Sequence, residues 1–195
     1  MKMLELFSGS GNMSKAFQKK GYTTLTVDIE RADITKDIRE VTPEEIIERL
    51  GGYPDIIWAS PPCTQFSIAS VSTHWKNKKP PSEGVELLSH ALRLIMQLQP
   101  KYYFIENPMG MMRKLKILDL LPRRTLTFCQ YGDKAMKPTD VWTNHKLWYP
   151  KKCKNGMSCH EAAPRGSKTG TQGKKNAKDR GILPIRLCKE IAEVC

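Results

Sequence analysis

Short apolar runs alternate with amphipathic stretches from one end of this chain to the other. Residues 3–7, 23–27, 56–59, 102–105 and 125–130 are compact and rich in strand-forming side chains, so each predicts a β-strand. Helical spacing lies between them. Residues 13–20 predict a helix that stops at Gly21. Thr42-Pro43-Glu44-Glu45 supplies a cap, a first-turn proline and early acids to a helix whose apolar face is Ile46, Ile47 and Leu50, with Gly51-Gly52 as its stop. Val85, Leu88, Ala91, Leu92, Ile95 and Leu98 define a helix over 84–98, and Pro184 opens an amphipathic helix to residue 192. Strands alternating with helices predict an α/β fold with parallel strands.

Length and charge narrow this picture. A chain of 195 residues buries one sizeable core and is short for two. With 32 Lys and Arg against 20 Asp and Glu, the net charge of +12 favours a polyanionic partner, nucleic acid ahead of a membrane surface. No run is apolar and long enough to span a bilayer, and the N-terminus lacks a signal-peptide layout, so a cytoplasmic protein with six reduced cysteines is expected. Cys153, Cys159 and His160 are candidate metal ligands. Three ligands with an adjacent Cys-His pair make a poor tetrahedral site, so no metal is expected.

The chemistry concentrates in Asp55-Ile56-Ile57-Trp58-Ala59-Ser60-Pro61-Pro62-Cys63-Thr64-Gln65-Phe66-Ser67. Two prolines end the strand and set Cys63 in a stiff loop at its carboxyl end, where open α/β sheets place ligands. A glycine turn, Phe7-Ser8-Gly9-Ser10-Gly11-Asn12, joins the first strand to the Met13 helix, a layout that brings backbone N–H groups against a ligand. Asp28 follows the second strand, where an acid accepts from ribose hydroxyls, and Glu106-Asn107-Pro108 follows the 102–105 strand on the same rim as Cys63.

These motifs, in this order, resemble the DNA cytosine-5 methyltransferases over roughly residues 3–144, in the manner of a short phage-like or orphan member. The resemblance implies a Rossmann-like S-adenosylmethionine-dependent methyltransferase fold, a mostly parallel sheet with helices on both faces. It implies S-adenosyl-L-methionine as cofactor, held by Phe7, Ser8, Gly9, Gly11, Asn12, Met13, Asp28, Ile29 and the Asp37-Ile38 pair. Cys63 is then the nucleophile for C6 of cytosine, Glu106 assists at N3, and Asn107 shapes the pocket. Pro62, Gln65, Ser67, Lys137 and Thr139 face the substrate. Where the family carries two arginines after Tyr-Gly, this chain has Lys137 and Thr139 after Tyr131-Gly132.

Three parts are expected: a catalytic and cofactor domain over 1–150, a basic loop over 151–180 in place of a target-recognition domain, and a closing helix over 181–195. The basic run Lys76-Asn77-Lys78-Lys79 after the nucleophile suits phosphate contacts. Duplex DNA with a flipped cytosine is the expected partner. Transfer RNA as the substrate, and a nucleic-acid-binding homologue without turnover, remain the alternatives.

Overall fold

Residues buried on both sides must be apolar on both sides, and the central strands obey this except at Glu5, Glu106 and Asn107. The computed structural model, which describes residues 1–68, 71–75, 79–161 and 177–195, places them in a seven-stranded sheet. In chain order the elements are β1 (Lys2–Leu6), α1 (Asn12–Gln18), β2 (Thr23–Asp28), β3 (Ile34–Thr35), α2 (Pro43–Leu50), β4 (Ile56–Ala59) and α3 (Val71–His74). They continue with α4 (Ser82–Leu98), β5 (Tyr102–Pro108), β6 (Arg123–Thr127), β7 (Pro138–Thr143), α5 (Ala177–Gly181) and α6 (Ile185–Val194). Residues 76–78 of the basic run and 162–176 of the expected basic loop lie outside the described residues.

The strand order is β3-β2-β1-β4-β5-β7-β6, parallel from β3 to β5, with β7 antiparallel to both neighbours. Period-two alternation sorts the side chains into two cores. Leu4, Leu6, Ile57, Ala59 and Ile105 meet α2 and α4 on one face. Met3, Ile56, Trp58 and Phe104 meet Met13 and Phe17 of α1 and Leu187, Cys188 and Ile191 of α6 on the other. The α6 helix therefore completes a face of the sheet.

Local signals account for the helix ends. Thr42 accepts from the Glu45 N–H at 3.3 Å, and Gly51 closes α2 in the left-handed region at φ 70°. Two strands go beyond the sequence reading. β3 is only two residues long, and β7 begins at a proline and contains Asp140, which reads as a loop. Asp140 is tolerated there because Arg113 pairs with it through contacts of 2.6 and 2.8 Å and Thr125 donates to it at 2.7 Å. The strand expected over 125–130 stops at Thr127, and Phe128–Tyr131 instead form a 3-10 turn.

Candidate active site

The chain runs outward from β1 to β2 and β3, then returns to β4 on the other side of β1. The β1–β4 junction is thus a topological switch point, where strand carboxyl ends leave a crevice. Ser8 N–H donates to the Val27 carbonyl at 3.1 Å and Ser60 N–H to that of Leu6 at 3.2 Å, which fixes the loops on either side. Phe7, Asp28 and Ser60 line both of two adjoining hollows of ≈ 380 and ≈ 590 Å³, making one continuous trough.

The smaller hollow is walled by Ile29, Asp37, Ile38, Pro62 and Leu87. Asp37 accepts from Arg39 at 2.6 and 2.9 Å as well as from the Arg39 N–H, so its carboxyl is held down to about 2. Asp28 accepts from the Gly9 N–H at 2.9 Å and the Glu30 N–H at 3.1 Å. The glycine turn is shaped by left-handed residues, Gly9 at φ 50° and Gly11 at φ 64°, and Phe7 itself sits at φ 56°. Ser8 is buried, Asn12 donates to the Leu183 carbonyl at 3.0 Å, and Met13 is wholly buried beneath α1. Asn12 and Met13 thus support the turn rather than line the trough.

The larger hollow reaches from Ser8, Gly9 and Ser10 to Glu106 and Lys137. Glu106 is 5 % exposed, and its Oε1 has no hydrogen-bond partner among the described residues. Ser60, which accepts from the Trp58 indole at 2.8 Å, hydrogen-bonds the Glu106 carboxyl. Burial pushes that carboxyl above its usual range, opposed by Lys137 and Ser60 and aided by Asp140. Cys63 is half-buried, and its thiol is also pushed up, first by burial and then by the Glu106 charge, while Lys137 and Arg180 draw it down. Asn107 Nδ2 donates to the Pro61 carbonyl at 2.9 Å and so ties the end of β5 to the double proline before Cys63.

Cys63, Glu106, Asn107 and Lys137 are therefore brought together. Lys137 is buried at φ 30°, its Nζ donating to the Arg180 carbonyl at 2.5 Å and lying 4.2 Å from the centre of the Phe128 ring. Pro62 lines the smaller hollow, and two other expected substrate residues, Gln65 and Thr139, are engaged elsewhere. Gln65 accepts from the Gly84 N–H at 2.8 Å and donates to Glu83 at 2.5 Å, which anchors the nucleophile turn to α4. Thr139 is fully buried, its hydroxyl donating to the Lys137 carbonyl at 3.2 Å, so it buttresses Lys137 rather than facing the cleft. Ser67 is half-buried in the turn.

Four residues escaped the sequence reading. Ser60 stood inside the motif as a spacer. Glu5 reads as a polar interruption of a strand, yet it is buried, accepts from the Ser14 N–H at 2.8 Å and is pushed up to about 7 by burial. Arg180 had no signal at all. Cys129 joins the group set aside for having three ligands, so that Cys129, Cys153, Cys159 and His160 converge.

Comparison with known proteins agrees with this geometry. A family model described as C-5 cytosine-specific DNA methylase matches residues 1–121. The Frog virus 3 (isolate Goorha) protein named "Probable DNA (cytosine-5)-methyltransferase" is 32% identical, with 100% of both chains covered. Type II methyltransferase M.XorII of Xanthomonas oryzae is 29% identical over 55% of this chain, which spans only 28% of that protein. Among solved structures, the Entamoeba histolytica methyltransferase EhMeth has a TM-score of 0.57 at 16% identity, over 79% of this chain and 57% of that one. Spodoptera frugiperda DNMT2 has a TM-score of 0.51 at 20% identity, over 79% and 55%. The chain thus aligns along the whole length of the viral relative and spans about half of these solved methyltransferases.

Proposed function

From the chain's membership of the C-5 cytosine-specific DNA methylase family, we propose that it methylates cytosine C5 in DNA through a transient Cys63 bond to C6, with Glu106 assisting at N3. The observation that carries the mechanism is the buried Oε1 of Glu106, without a partner among the described residues, in a hollow it shares with Lys137 and near enough to Cys63 for its charge to act on that thiol. S-adenosyl-L-methionine supplies the methyl group when bound. The trough suits it: the Ile29, Asp37 and Ile38 end is shaped for a nucleoside, and the Gly9 end opens toward Glu106.

Cytosine C5 is a weak nucleophile, so the chain must make it a stronger one. The Cys63 thiolate forms a bond to C6, and the C5=C6 electrons shift through the ring as protonated Glu106 donates to N3. C5 then takes the methyl group. Loss of the C5 proton to a base breaks the C6–S bond, N3 returns its proton to Glu106, and the thiolate is released.

One ionisation state serves both residues. Burial favours the protonated Glu106 that N3 requires, and protonation also removes the like charge that holds the Cys63 thiol up. With that charge gone, Lys137 and Arg180 act on the thiol unopposed by Glu106. In this reading Asn107 positions the double proline, Lys137 faces the base, and residues 151–180 take the place of a target-recognition domain. The reacting base leaves the stack, since C6 is inaccessible from either face inside a duplex. No described helix is long and apolar enough to cross a membrane, and the reading places the protein where DNA is, inside the cell.

The test is incubation with S-adenosylmethionine and DNA containing 5-fluorocytosine, whose fluorine cannot leave as a proton does. A covalent adduct that maps to Cys63 is expected. Adducts on tRNA but not DNA would replace the substrate and keep the mechanism, and no adduct on either would reject the mechanism.

A further inference from the structure

Away from the trough, at the β6 side of the sheet, we propose that Cys129, Cys153, Cys159 and His160 bind one Zn²⁺ ion. Cys129 comes from the turn after β6 and the other three from the segment after β7, yet their four ligand atoms all lie within 4.8 Å of one another. In a tetrahedral site with Zn–S near 2.3 Å and Zn–N near 2.0 Å, ligand atoms stand about 3.5–3.8 Å apart. Cys159 Sγ is 3.7 Å from Cys129 Sγ and 3.6 Å from His160 Nδ1, and Cys153 Sγ is 3.7 Å from that same Nδ1. Cys129 and Cys153, 3.1 Å apart and both free thiols, are the pair that must open slightly on loading.

The adjacency that made Cys159-His160 look unsuitable is no obstacle in an irregular turn. His160 offers Nδ1, the nitrogen nearer its backbone, and both side chains reach one point. Neighbours orient the ligands: Gln130 Nε2 donates to Cys159 Sγ at 3.1 Å, and the Cys153 N–H donates to Thr127 Oγ1 at 2.8 Å. Three sulfurs and one imidazole suit zinc among the common divalent ions, and loading releases the thiol protons.

Four protein ligands leave no open coordination position, so the ion is structural. It joins 151–161, a stretch with little apolar surface of its own, to the β6 turn beside Phe128, whose ring lies under Lys137. The same stretch leads in sequence to Arg165, Lys168, Lys174 and Lys175. A staple here fixes one root of the basic loop. The inference stands apart from the Cys63 chemistry and survives its failure.

Elemental analysis of the full-length protein in metal-free buffer should find about one zinc per chain, retained in Cys63→Ala and Cys195→Ser and lost in Cys129→Ser and Cys159→Ser. Cobalt(II) added to the reduced, metal-free protein should give intense tetrahedral bands with thiolate charge transfer, abolished by added zinc. That measurement needs no variant. Trypsin should cut after Lys152 or Lys154 roughly tenfold faster without zinc. The proposal falls if the unaltered protein retains no zinc and gives only octahedral cobalt spectra, or if Cys63→Ala or Cys195→Ser loses the metal. A Cys129–Cys153 disulfide in reduced preparations would overturn it equally, and equal trypsin rates would remove the staple.

Discussion

The two ends of the trough treat their carboxyl groups in opposite ways. At the Ile38 end, Asp37 is neutralised by Arg39 and held down to about 2, and each Asp28 oxygen accepts one backbone N–H of the turn it organises while keeping a lone pair for a further donor. At the Cys63 end, Glu106 is more deeply buried, keeps one oxygen without a partner among the described residues, and is pushed upward. A buried unsatisfied polar group costs on the order of 1–3 kcal/mol. Such a cost is tolerated where a ligand later makes the missing bond. In the proposed mechanism the satisfied end binds and the unsatisfied end reacts.

The largest test of that contrast is Cys63→Ala. Methyl transfer should fall by on the order of 10⁴-fold or more, while S-adenosylmethionine affinity by calorimetry stays unchanged. Equal loss of both would mean that the two ends are not separable.

Glu106→Gln comes next, with kcat expected to fall by roughly 10²–10³-fold. Because the Glu106 carboxyl is raised, its donating protonated form persists above the usual carboxylate range and is lost as pH climbs through the raised value. The native kcat/KM profile should therefore fall on that side. Gln cannot ionise, so the variant should lack this fall, and its thiolate-dependent rise should move to lower pH because the like charge beside Cys63 is gone. An unchanged profile would strip Glu106 of its role.

This division also explains what was legible. The binding end is written in local signals, a glycine turn and an acid after a strand, each near in sequence to what it touches, whereas the Asp37-Ile38 pair was reached only through the family resemblance. Ile56 to Cys63 was equally plain, because two prolines halt a strand within a few residues. The reacting end is assembled from distant segments. Lys137 was reached only through the family resemblance, while Arg180 lies 43 residues further on, and only the return of the chain through α5 brings its carbonyl to the Lys137 ammonium. Thr139 was misread as facing substrate because β7 was not seen as a strand, and a strand residue at that register points inward. Cys129 was overlooked for the same reason of distance. Its partners begin 24 residues later, beyond any ligand spacing that a local motif displays.

A smaller loss isolates positioning from chemistry. A Cβ on Gly110 would stand 2.5 Å from the Phe66 carbonyl oxygen, and that carbonyl accepts from the Met111 N–H at 2.7 Å. Gly110→Ala must move backbone, and the Cys63–Gln65 turn that precedes Phe66 moves with it. A displacement approaching 1 Å costs up to about 10²-fold in rate, so kcat should fall by roughly 10- to 10²-fold with cofactor affinity unchanged. Iodoacetamide labelling of Cys63 gives an independent readout of the moved turn. Weakened cofactor binding would show that the nucleophile turn also shapes the other end.

Asp28→Asn should have the smallest effect, and its direction matters more than its size. Asn keeps one carbonyl oxygen for the Gly9 N–H, while its NH2 group replaces the oxygen that accepts from the Glu30 N–H, so the glycine turn should hold and only the Glu30 side should loosen. What is lost is the carboxylate charge, which strengthens hydrogen bonds from ribose hydroxyls about twofold over a neutral acceptor. A weakening near 1 kcal/mol corresponds to roughly fivefold in affinity. KM for S-adenosylmethionine should rise by about that factor and kcat should hold, since no step at Cys63 or Glu106 uses Asp28. Should kcat fall while KM holds, Asp28 would belong to the reacting end, and the contrast between a satisfied binding end and an unsatisfied chemical end would fail at the residue that lines both hollows.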